Sequence, residues 1–528
     1  MHDTSDPQES SSIITRMIKT GKCVALILLL AVVSLNTAGQ TRTTVEQYAA
    51  GHQQEILGEF LSLLSIPNVA SDKPNIRRNA EQLRQMLIRR GFVAEVLETD
   101  VNPLVYGELR VPGAQRTILW YAHYDGQPVD PKLWKQESPF KPILRDGRME
   151  DNAKEIPNYA SLKAIPPDAR VYARSASDDK APIIALLAAI DAVRASGQKP
   201  KSNVRVILDG EEEASSAGLI SSLPKYKDKY QADMMLVLDG PVHSSGKPTI
   251  VFGARGIATL ELTVFGPKFA LHSGHYGNWA PNPAMDLIQL LATMKDDNGR
   301  VLVEGFYDDV PAFTPEEKRI LASVPDDPKE LMQFFGISRT EKVGANLQEA
   351  LQYPSLNVRG LRSAYIGSEA RTIIPESATA SIDIRLVKET EPDRMIRRVL
   401  DHVRKQGFTI VDKPPDDSAR AKSPRIVMVS SGSGGATFAG TKAYRTEMSN
   451  PASVEIANAI ERIWNEKPVR IRTMGGTVPM APFAEGFGFP IISVPVVNFD
   501  NNQHSENENL RLENLWKAIV TFAGVLSM

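Results

Sequence analysis

Three apolar runs that stop at a histidine or an aspartate constrain the fold of this chain more than any other feature. The runs read TILWYA, NVRVIL and MMLVL, and they are followed directly by His123, Asp209 and Asp239. Short continuous apolar runs are typical of strands buried on both faces of a sheet. Because segments with helical spacing alternate with these runs, the sequence predicts an α/β fold.

The polar residues that end these runs are expected to lie along one edge of the sheet, where ligands usually bind in open α/β sheets. The second run continues as Asp209-Gly210-Glu211-Glu212-Glu213, and three adjacent glutamates repel one another unless a cation compensates them. Asp125 follows His123 by two residues, on the same side of an extended chain, where it can hold the second ring nitrogen of a metal-binding histidine. Taken singly, these features also fit a capped strand end and a solvated acidic turn.

Asp178 lies in the stretch YARSASDDKAP, where a turn of small residues leads into an apolar run with helical spacing. A carboxylate has two oxygens and can bridge two metal ions, and the N-terminus of the following helix favours anionic groups. A pair of aspartates before a helix is more often a simple helix cap. The metal interpretation therefore depends on the other acidic residues and histidines.

Composition narrows the classes of function. The 528 residues are 42% hydrophobic and 23% charged, which is enough for a large core and more than one domain. The net charge is -2 and no long basic run is present, so nothing favours nucleic-acid binding. Cys23 is the one cysteine, and a mature chain without it would have neither disulfides nor thiolate metal sites. Any metal would then be bound by His, Asp and Glu.

The N-terminus has the pattern of a signal peptide. Three basic residues precede an apolar run from Cys23 to Val33, and small residues follow it as far as Gly39. We expect residues 1–39 to be removed and the mature chain to be periplasmic or secreted, without stable membrane association; an uncleaved anchor is the alternative. The polar prefix before Met17 is unusual for a signal peptide, and Met17 is an alternative start.

A change of pattern near residue 254 predicts a second domain inserted into the first. Strand-like runs at Ile257–Val264 and Ser381–Val387 surround a long acidic stretch that is interrupted by prolines and reaches Gln352. We expect residues 40–253 and 447–528 to form one discontinuous domain and residues 254–446 to form the insertion. The polar, Pro- and Gly-rich segment 127–169 is interpreted as a loop over the site.

Ten short motifs then occur in the order typical of one enzyme family. They read AHYDGQPVD, ARSASDDK, DGEEEASS, LVLDG, LHSG, YPSLNVRG, TIIP, SIDIRLV, GGTVP and QHSENE. Nearly everything after residue 45 resembles the dinuclear zinc aminoacylase/dipeptidase superfamily, which includes carnosinases, carboxypeptidase G, acetylornithine deacetylase and succinyl-diaminopimelate desuccinylase. The carnosinase-like branch is the most similar. The resemblance implies a catalytic domain with a mixed sheet flanked by helices, and an inserted α+β domain that acts as lid and dimerisation domain.

The resemblance also implies a set of metal ligands for two Zn²⁺ ions per subunit, with Mn²⁺ or Co²⁺ as substitutes. The implied ligands are His123, Asp178 as the bridge, Glu213, Asp239 and His504. Asp125 is expected to orient His123. Glu212 is expected to be the general base, and its choice over Glu211 depends on the family spacing to Ser216. The bond between Asp178 and Asp179 resembles the family's non-proline cis peptide.

The motifs on the substrate side have implied roles as well. His272 matches the histidine that stabilises the tetrahedral oxyanion, although His275 has a similar local sequence. Arg385 is expected to bind the substrate's terminal carboxylate, and Thr372, Gly476 and Thr477 are expected to line the same pocket. Met474 departs from the family, because many carnosinase-like dipeptidases have an acidic residue at that position.

The sequence thus predicts an exported zinc metallopeptidase of dipeptidase or carboxypeptidase type, which acts on dipeptides or short peptides at a C-terminal amino acid. A hydrolase of N-acyl amino acids with the same mechanism is the first alternative, and an inactive binding protein on this scaffold is the second. The resemblance implies a homodimer formed through the inserted domain, in which His272 acts at the partner's zinc site.

Overall fold

The computed structural model describes residues 41–162, 165–431, 440–478 and 480–528. The predicted signal peptide, its anchor alternative and the alternative start at Met17 lie outside these ranges. Within them, every helix is too short or too polar to cross a membrane.

The strands are numbered in chain order. They are β1 (Val93–Leu97), β2 (Leu104–Leu109), β3 (Thr117–His123), β4 (Ile143–Arg145), β5 (Arg170–Tyr172), β6 (Asn203–Asp209), β7 (Met234–Val237), β8 (Thr249–Val251), β9 (Gly253–Ala254), β10 (Gly256–Phe265), β11 (Leu271–His272), β12 (Ser355–Ser363), β13 (Ile373–Ile374), β14 (Ser377–Leu386), β15 (Thr409–Val411), β16 (Ile426–Ser431), β17 (Gly440–Thr441), β18 (Tyr444–Arg445), β19 (Val469–Ile471), β20 (Ile491–Ser493) and β21 (Asn509–Arg511).

The helices are numbered in the same way. They are α1 (41–51), α2 (Gln53–Leu64), α3 (Lys73–Arg89), α4 (Lys180–Ala195), α5 (Ala217–Ser222), α6 (Lys227–Tyr230), α7 (Ser273–Tyr276), α8 (Pro283–Ala292), α9 (Pro315–Ala322), α10 (Pro328–Phe335), α11 (Leu347–Ala350), α12 (Pro392–Lys405), α13 (Asp417–Lys422), α14 (Pro451–Trp464), α15 (Ala481–Phe487) and α16 (Leu512–Leu526).

The larger sheet has the strand order β1-β2-β6-β3-β7-β20-β8-β19. It is mixed, because β3 runs parallel to β6 and β7, whereas β1 and β2 are antiparallel to their neighbours. Helices α4 and α16 share a core cluster with this sheet, and the rings of Trp120 in β3 and Phe522 in α16 meet edge to face at 5.7 Å. The predicted α/β fold with a mixed sheet flanked by helices is confirmed.

The second sheet has the order β12-β14-β10-β16-β15, and β17 also pairs with β10. Buried and half-buried residues alternate along β10, which is the pattern of a sheet covered on one face. Helices α8 and α12 supply that cover and form one core cluster with the sheet. All strands of this sheet lie within 254–446, the range expected for the insertion, while the domain boundaries themselves stay a prediction.

Two segments contain more structure than their sequence indicates. The acidic stretch before Gln352 forms α9, α10 and α11, because the prolines at 315 and 328 occupy the first turns of α9 and α10, after the N-caps Thr314 and Asp327. Proline is tolerated there because its missing N–H has no helical partner in any case. The segment 127–169 is also not a plain loop, since it contains β4, which pairs with β5 and through it with β21.

Candidate metal centre

His123 is the last residue of β3 and is fully buried beneath the edge of the larger sheet. Its Nε2 lies 2.9 Å from Oδ1 of Asp178. Its Nδ1 lies 3.3 Å from Oδ1 of Asp125, which is also fully buried. The carboxylate of Asp125 is therefore on the far side of the ring from Asp178, as predicted for a residue that orients the histidine.

Asp125 also anchors the acidic turn that follows β6. Its Oδ1 accepts a hydrogen bond from the backbone N–H of Glu212 at 3.0 Å, and its Oδ2 accepts one from Glu213 at 3.1 Å. The sheet brings these residues together because β3 and β6 are parallel neighbours and His123 pairs with Asp209. One carboxylate thus ties the histidine to the turn that carries two further acidic residues.

The carboxylate of Glu508 holds the turn that presents Asp178. It accepts hydrogen bonds from the backbone N–H groups of Ser175, Ser177 and Asp178 at 2.9 to 3.0 Å, and Arg174 Nη1 donates to it at 2.8 Å. Both charged side chains are buried, with Glu508 only 1% exposed. The Asp178–Asp179 peptide bond is cis, as the resemblance predicts.

Sequence reasoning assigned no role to Glu508, although it is the last residue of the QHSENE motif. Glu506, two residues earlier in the same loop, is exposed. Both residues are glutamates in an irregular segment, so no periodic pattern distinguishes the buried one from the exposed one. Only the approach of the distant Arg174 turn does so.

Two groups of candidate ligands share Asp178. His123, Asp178 and Asp239 form one, and Asp178, Glu213 and His504 form the other; within each group the ligand atoms lie within 4.8 Å of one another. His504 Nε2 is 3.0 Å from Asp178 Oδ2 and 3.4 Å from Glu213 Oε2. All five predicted ligands thus converge, and imidazole nitrogens with carboxylate oxygens are a donor set suited to Zn²⁺. The residues present fit two cations, with Asp178 available to both.

Crowding of buried carboxylates also favours a cation here. Burial, reinforced by the charge of Asp178, raises the pKa of Glu213 to about 7 and that of Asp239 to about 6. Burial raises the pKa of Glu212 well above its ordinary value. The hydrogen bond to Asp178 raises the pKa of His504 to about 9. Without a metal, these groups are stabilised in their protonated forms, because the cluster has an excess of negative charge.

The side chains of Glu211 and Glu212 point to different parts of the structure. Glu211 is 2% exposed, and its Oε2 accepts a hydrogen bond from the backbone N–H of Asn102 at 3.0 Å. Glu212 lines the cavity beside the ligand clusters, and Glu211 does not. This placement agrees with the choice of Glu212 as the general base.

A cavity of about 580 Å³ opens beside the ligands. Arg385 in β14 and the turn that contains Gly476 and Thr477 line it together with Asp178, Glu212, Glu213, Asp239 and His504. Arg385 Nη1 donates a hydrogen bond to Thr477 Oγ1 at 3.0 Å. Three of the four predicted substrate-binding residues therefore face the metal ligands across one cavity.

His272 and Thr372 lie outside the lining of this cavity. His272 ends β11 and Thr372 directly precedes β13, and the backbone N–H of Ser273 donates to the carbonyl of Thr372 at 2.9 Å. The rings of His272 and His275 are exposed and 4.6 Å apart. Neither His272 nor Thr372 lines the cavity described above. The expectation that Thr372 shares a pocket with Gly476 and Thr477 is thus not met within one chain, because Thr372 lies beside β11 and β13, which form a separate two-stranded sheet.

We expect Glu508→Gln to lower the free energy of unfolding of the metal-free protein by about 3 kcal/mol, because it leaves the buried Arg174 without its counter-charge. Chemical denaturation measures this change. Glu506→Gln is the matched control and should change stability by no more than about 0.5 kcal/mol, since its side chain is exposed. Equal effects of the two variants would contradict the role of Glu508.

We also expect the affinity for Zn²⁺ to rise as the pH increases from 6 to 8. Glu213, with a pKa of about 7, and Asp239, with a pKa of about 6, hold protons in the metal-free protein at the lower pH. A metal ion must displace these protons, so it binds more weakly where they are bound. Calorimetric titration with Zn²⁺ across this range measures the effect, and an affinity independent of pH would contradict it.

Comparison with known proteins identifies the family of the chain. The model of peptidase family M20/M25/M40 matches residues 154–528. The Cys-Gly metallodipeptidase of Candida albicans is 27% identical, over 90% of this chain and 95% of its own length. The human Beta-Ala-His dipeptidase is also 27% identical, over 91% of each chain. The crystal structure of an M20 family metallo-carboxypeptidase from Sulfolobus solfataricus is 28% identical and matches 89% of this chain and 98% of its own, with a TM-score of 0.71. The chain belongs to peptidase family M20/M25/M40 and is a metallopeptidase of the carnosinase-like branch.

Proposed function

We propose that this chain is an exported dipeptidase that uses two Zn²⁺ ions to hydrolyse the amide bond before a C-terminal amino acid. The observation that carries the proposal is the single cavity in which four of the five candidate ligands and Glu212 face Arg385 and Thr477. The names of the dipeptidase relatives support the choice of substrate. Export is supported by the signal-like pattern of residues 1–39 alone.

The residues of the chain have separable roles in this reaction. Arg385 binds the terminal carboxylate of the substrate, since a guanidinium donates two parallel hydrogen bonds to a carboxylate. When bound, Zn²⁺ supplies a Lewis acid that polarises the scissile carbonyl and acidifies the attacking water. Glu212 accepts the proton of that water and delivers it to the leaving amine. In the metal-free protein, burial raises the pKa of Glu212.

Asp125 keeps these groups in position. It holds the ring of His123 and the backbone of both Glu212 and Glu213, so the base and two ligands are fixed by one buried carboxylate. Because the base and the ligands are already in position, they need little rearrangement when the reaction takes place.

The absence of His272 from the lining of the cavity supports a homodimer. Strand β12 forms an edge of the second sheet, and most of its residues are exposed, including Leu361 at 55%. An exposed edge strand is a surface for pairing, and a two-fold dimer would present the same edge from both partners. In such a dimer, His272 of one subunit completes the oxyanion site of the other.

Met474 favours a second candidate function, the hydrolysis of N-acyl amino acids. Its side chain lines the cavity, and its Cε lies 3.3 Å from the position that a Cβ on Gly476 would occupy. An apolar group there offers no counter-charge to a free amino terminus. Parallel assays on dipeptides and N-acetyl amino acids separate the two functions. Absence of both activities and of bound zinc would favour the inactive binding protein.

We expect Glu212→Gln to lower kcat about 100-fold or more while the protein retains its metal, because an amide has the size of the carboxylate but cannot accept the proton. Glu211→Gln is the control, because that side chain binds a backbone N–H away from the cavity. Turnover of dipeptides and metal content per chain are measured for both. The assignment of the base is wrong if Glu211→Gln abolishes turnover and Glu212→Gln does not.

We expect activity to return when the inactive variants His272→Ala and Glu212→Gln are mixed and allowed to exchange subunits. A heterodimer has one site with both groups intact, so equal random mixing should restore about a quarter of the wild-type activity. Exchange is verified with differently tagged chains. Demonstrated exchange without recovered activity would exclude action of His272 on the partner's site.

A further inference from the structure

We propose that the side chain of the substrate's C-terminal residue binds an apolar wall formed by α10 and α11, so that the preferred substrates end in a large apolar residue. This inference depends on the proposed function, because it takes the terminal carboxylate to be held by Arg385. It adds the chemical class of the substrate's last residue.

The apolar wall consists of Leu331 and Phe335 from α10 and Leu347 and Leu351 from α11 and its C-cap. All four side chains line the cavity that contains the metal ligands. Phe335 is 57% exposed and Leu347 is 44% exposed, although both lie inside a cavity. Apolar surface left in contact with water is a favourable partner for an apolar ligand group, because binding removes both surfaces from water.

The wall adjoins the residues that are proposed to bind the carboxylate. Leu351 Cδ2 lies 3.5 Å from the position that a Cβ on Gly475 would occupy. Gly475 begins the turn that contains Gly476 and Thr477, and Thr477 accepts the hydrogen bond from Arg385. The Cα of a C-terminal residue is one bond from its carboxylate and one bond from the scissile nitrogen. With those two groups directed at Arg385 and at the metal ligands, its side chain is directed at the other lining of the cavity, of which the apolar wall lies beside the carboxylate site.

Charged groups on this side of the cavity are already paired. Asp326 accepts a hydrogen bond from Gln348 at 2.8 Å, and its other carboxylate oxygen lies 3.0 Å from His243 Nε2. Among the described lining residues, the other charged or imidazole groups belong to the metal cluster with Glu212, or to the Arg385 site. A charged C-terminal side chain would lose its water without gaining a free partner, which is unfavourable.

The relatives' named substrates end differently. Cys-Gly ends in a residue without a side chain, and Beta-Ala-His ends in an imidazole. We therefore expect this chain to differ from those relatives in the residue it releases.

Phe334 and Phe335 provide a matched pair for the test. The ring of Phe334 packs against Phe499 with 5.6 Å between centroids, and Phe334 lines a neighbouring cavity instead of the one that holds the metal ligands. Phe335 lines the metal cavity. The two residues are adjacent, identical and similarly exposed, and they face different cavities.

The experiment measures kcat/KM of the zinc-loaded enzyme for Ala-Gly, Ala-Lys, Ala-Leu and Ala-Phe, and for the matching N-acetyl amino acids. We expect the Leu and Phe substrates to exceed the Gly and Lys substrates by about 10-fold or more, which is typical of a filled apolar pocket. Phe335→Ala and Leu347→Ala should each reduce the ratio of Leu to Gly several-fold. Phe334→Ala should leave that ratio unchanged.

Several results would overturn the proposal. Equal rates for the Gly and Leu substrates would do so, as would an unchanged ratio in both wall variants with zinc content retained. A uniform loss across all substrates, together with a changed oligomeric state of Phe335→Ala, would assign α10 to a subunit contact instead. Hydrolysis of only the N-acetyl series, with Leu preferred, would refute the dipeptidase function and would support the role of the apolar wall in binding the C-terminal side chain. Hydrolysis of neither series would overturn both.

Discussion

Asp178 belongs to both groups of candidate ligands, so the position of its carboxylate decides whether two cations can bind side by side. That position depends on the buried Glu508. Its carboxylate accepts hydrogen bonds from three backbone N–H groups of the turn that contains Asp178, and it pairs with Arg174. Helix α4 begins directly after the turn, and nearly all of its residues are buried against the larger sheet. The bridging carboxylate is thus held between a carboxylate from the C-terminal loop and the core of the protein.

The same site concentrates negative charge in a buried place. Glu212, Glu213 and Asp239 all have raised pKa values because burial and neighbouring carboxylates oppose their ionisation. The family to which the chain belongs is metal-dependent, and a metal ion would provide the compensating charge. Folding thus brings carboxylates together in a buried place where their ionised forms repel one another. A bound cation would stabilise these ionised forms.

The cavity joins two parts of the chain that are far apart in sequence. One side consists of the strand ends of the larger sheet, and the other consists of Arg385, the turn at 474–477 and the apolar residues of α10 and α11. The first side contains Glu212 and four of the candidate metal ligands. The second side contains Met474 and the apolar wall with Phe335.

Much of this architecture could be predicted from the sequence. Continuous apolar runs located β3, β6 and β7 to within a residue at each end, because a strand buried on both faces leaves a pattern that needs no partner to recognise. The ordered motifs located all five candidate ligands and Arg385. Helices α9 and α10 escaped prediction because proline was interpreted as an interruption, although it occupies the first turn of each helix.

What the sequence determined by itself was the α/β class, the buried strands and the chemical types at the site, since each depends on residues that are close together in the chain. Only the tertiary structure decided that Glu508 is buried and Glu506 exposed, that Glu212 and not Glu211 lines the cavity, and that Thr372 does not line it. The physical reason is that burial and hydrogen-bond partners come from distant segments. Glu508 obtains its charge partner from Arg174, more than 300 residues earlier in the chain, and no local pattern records that contact.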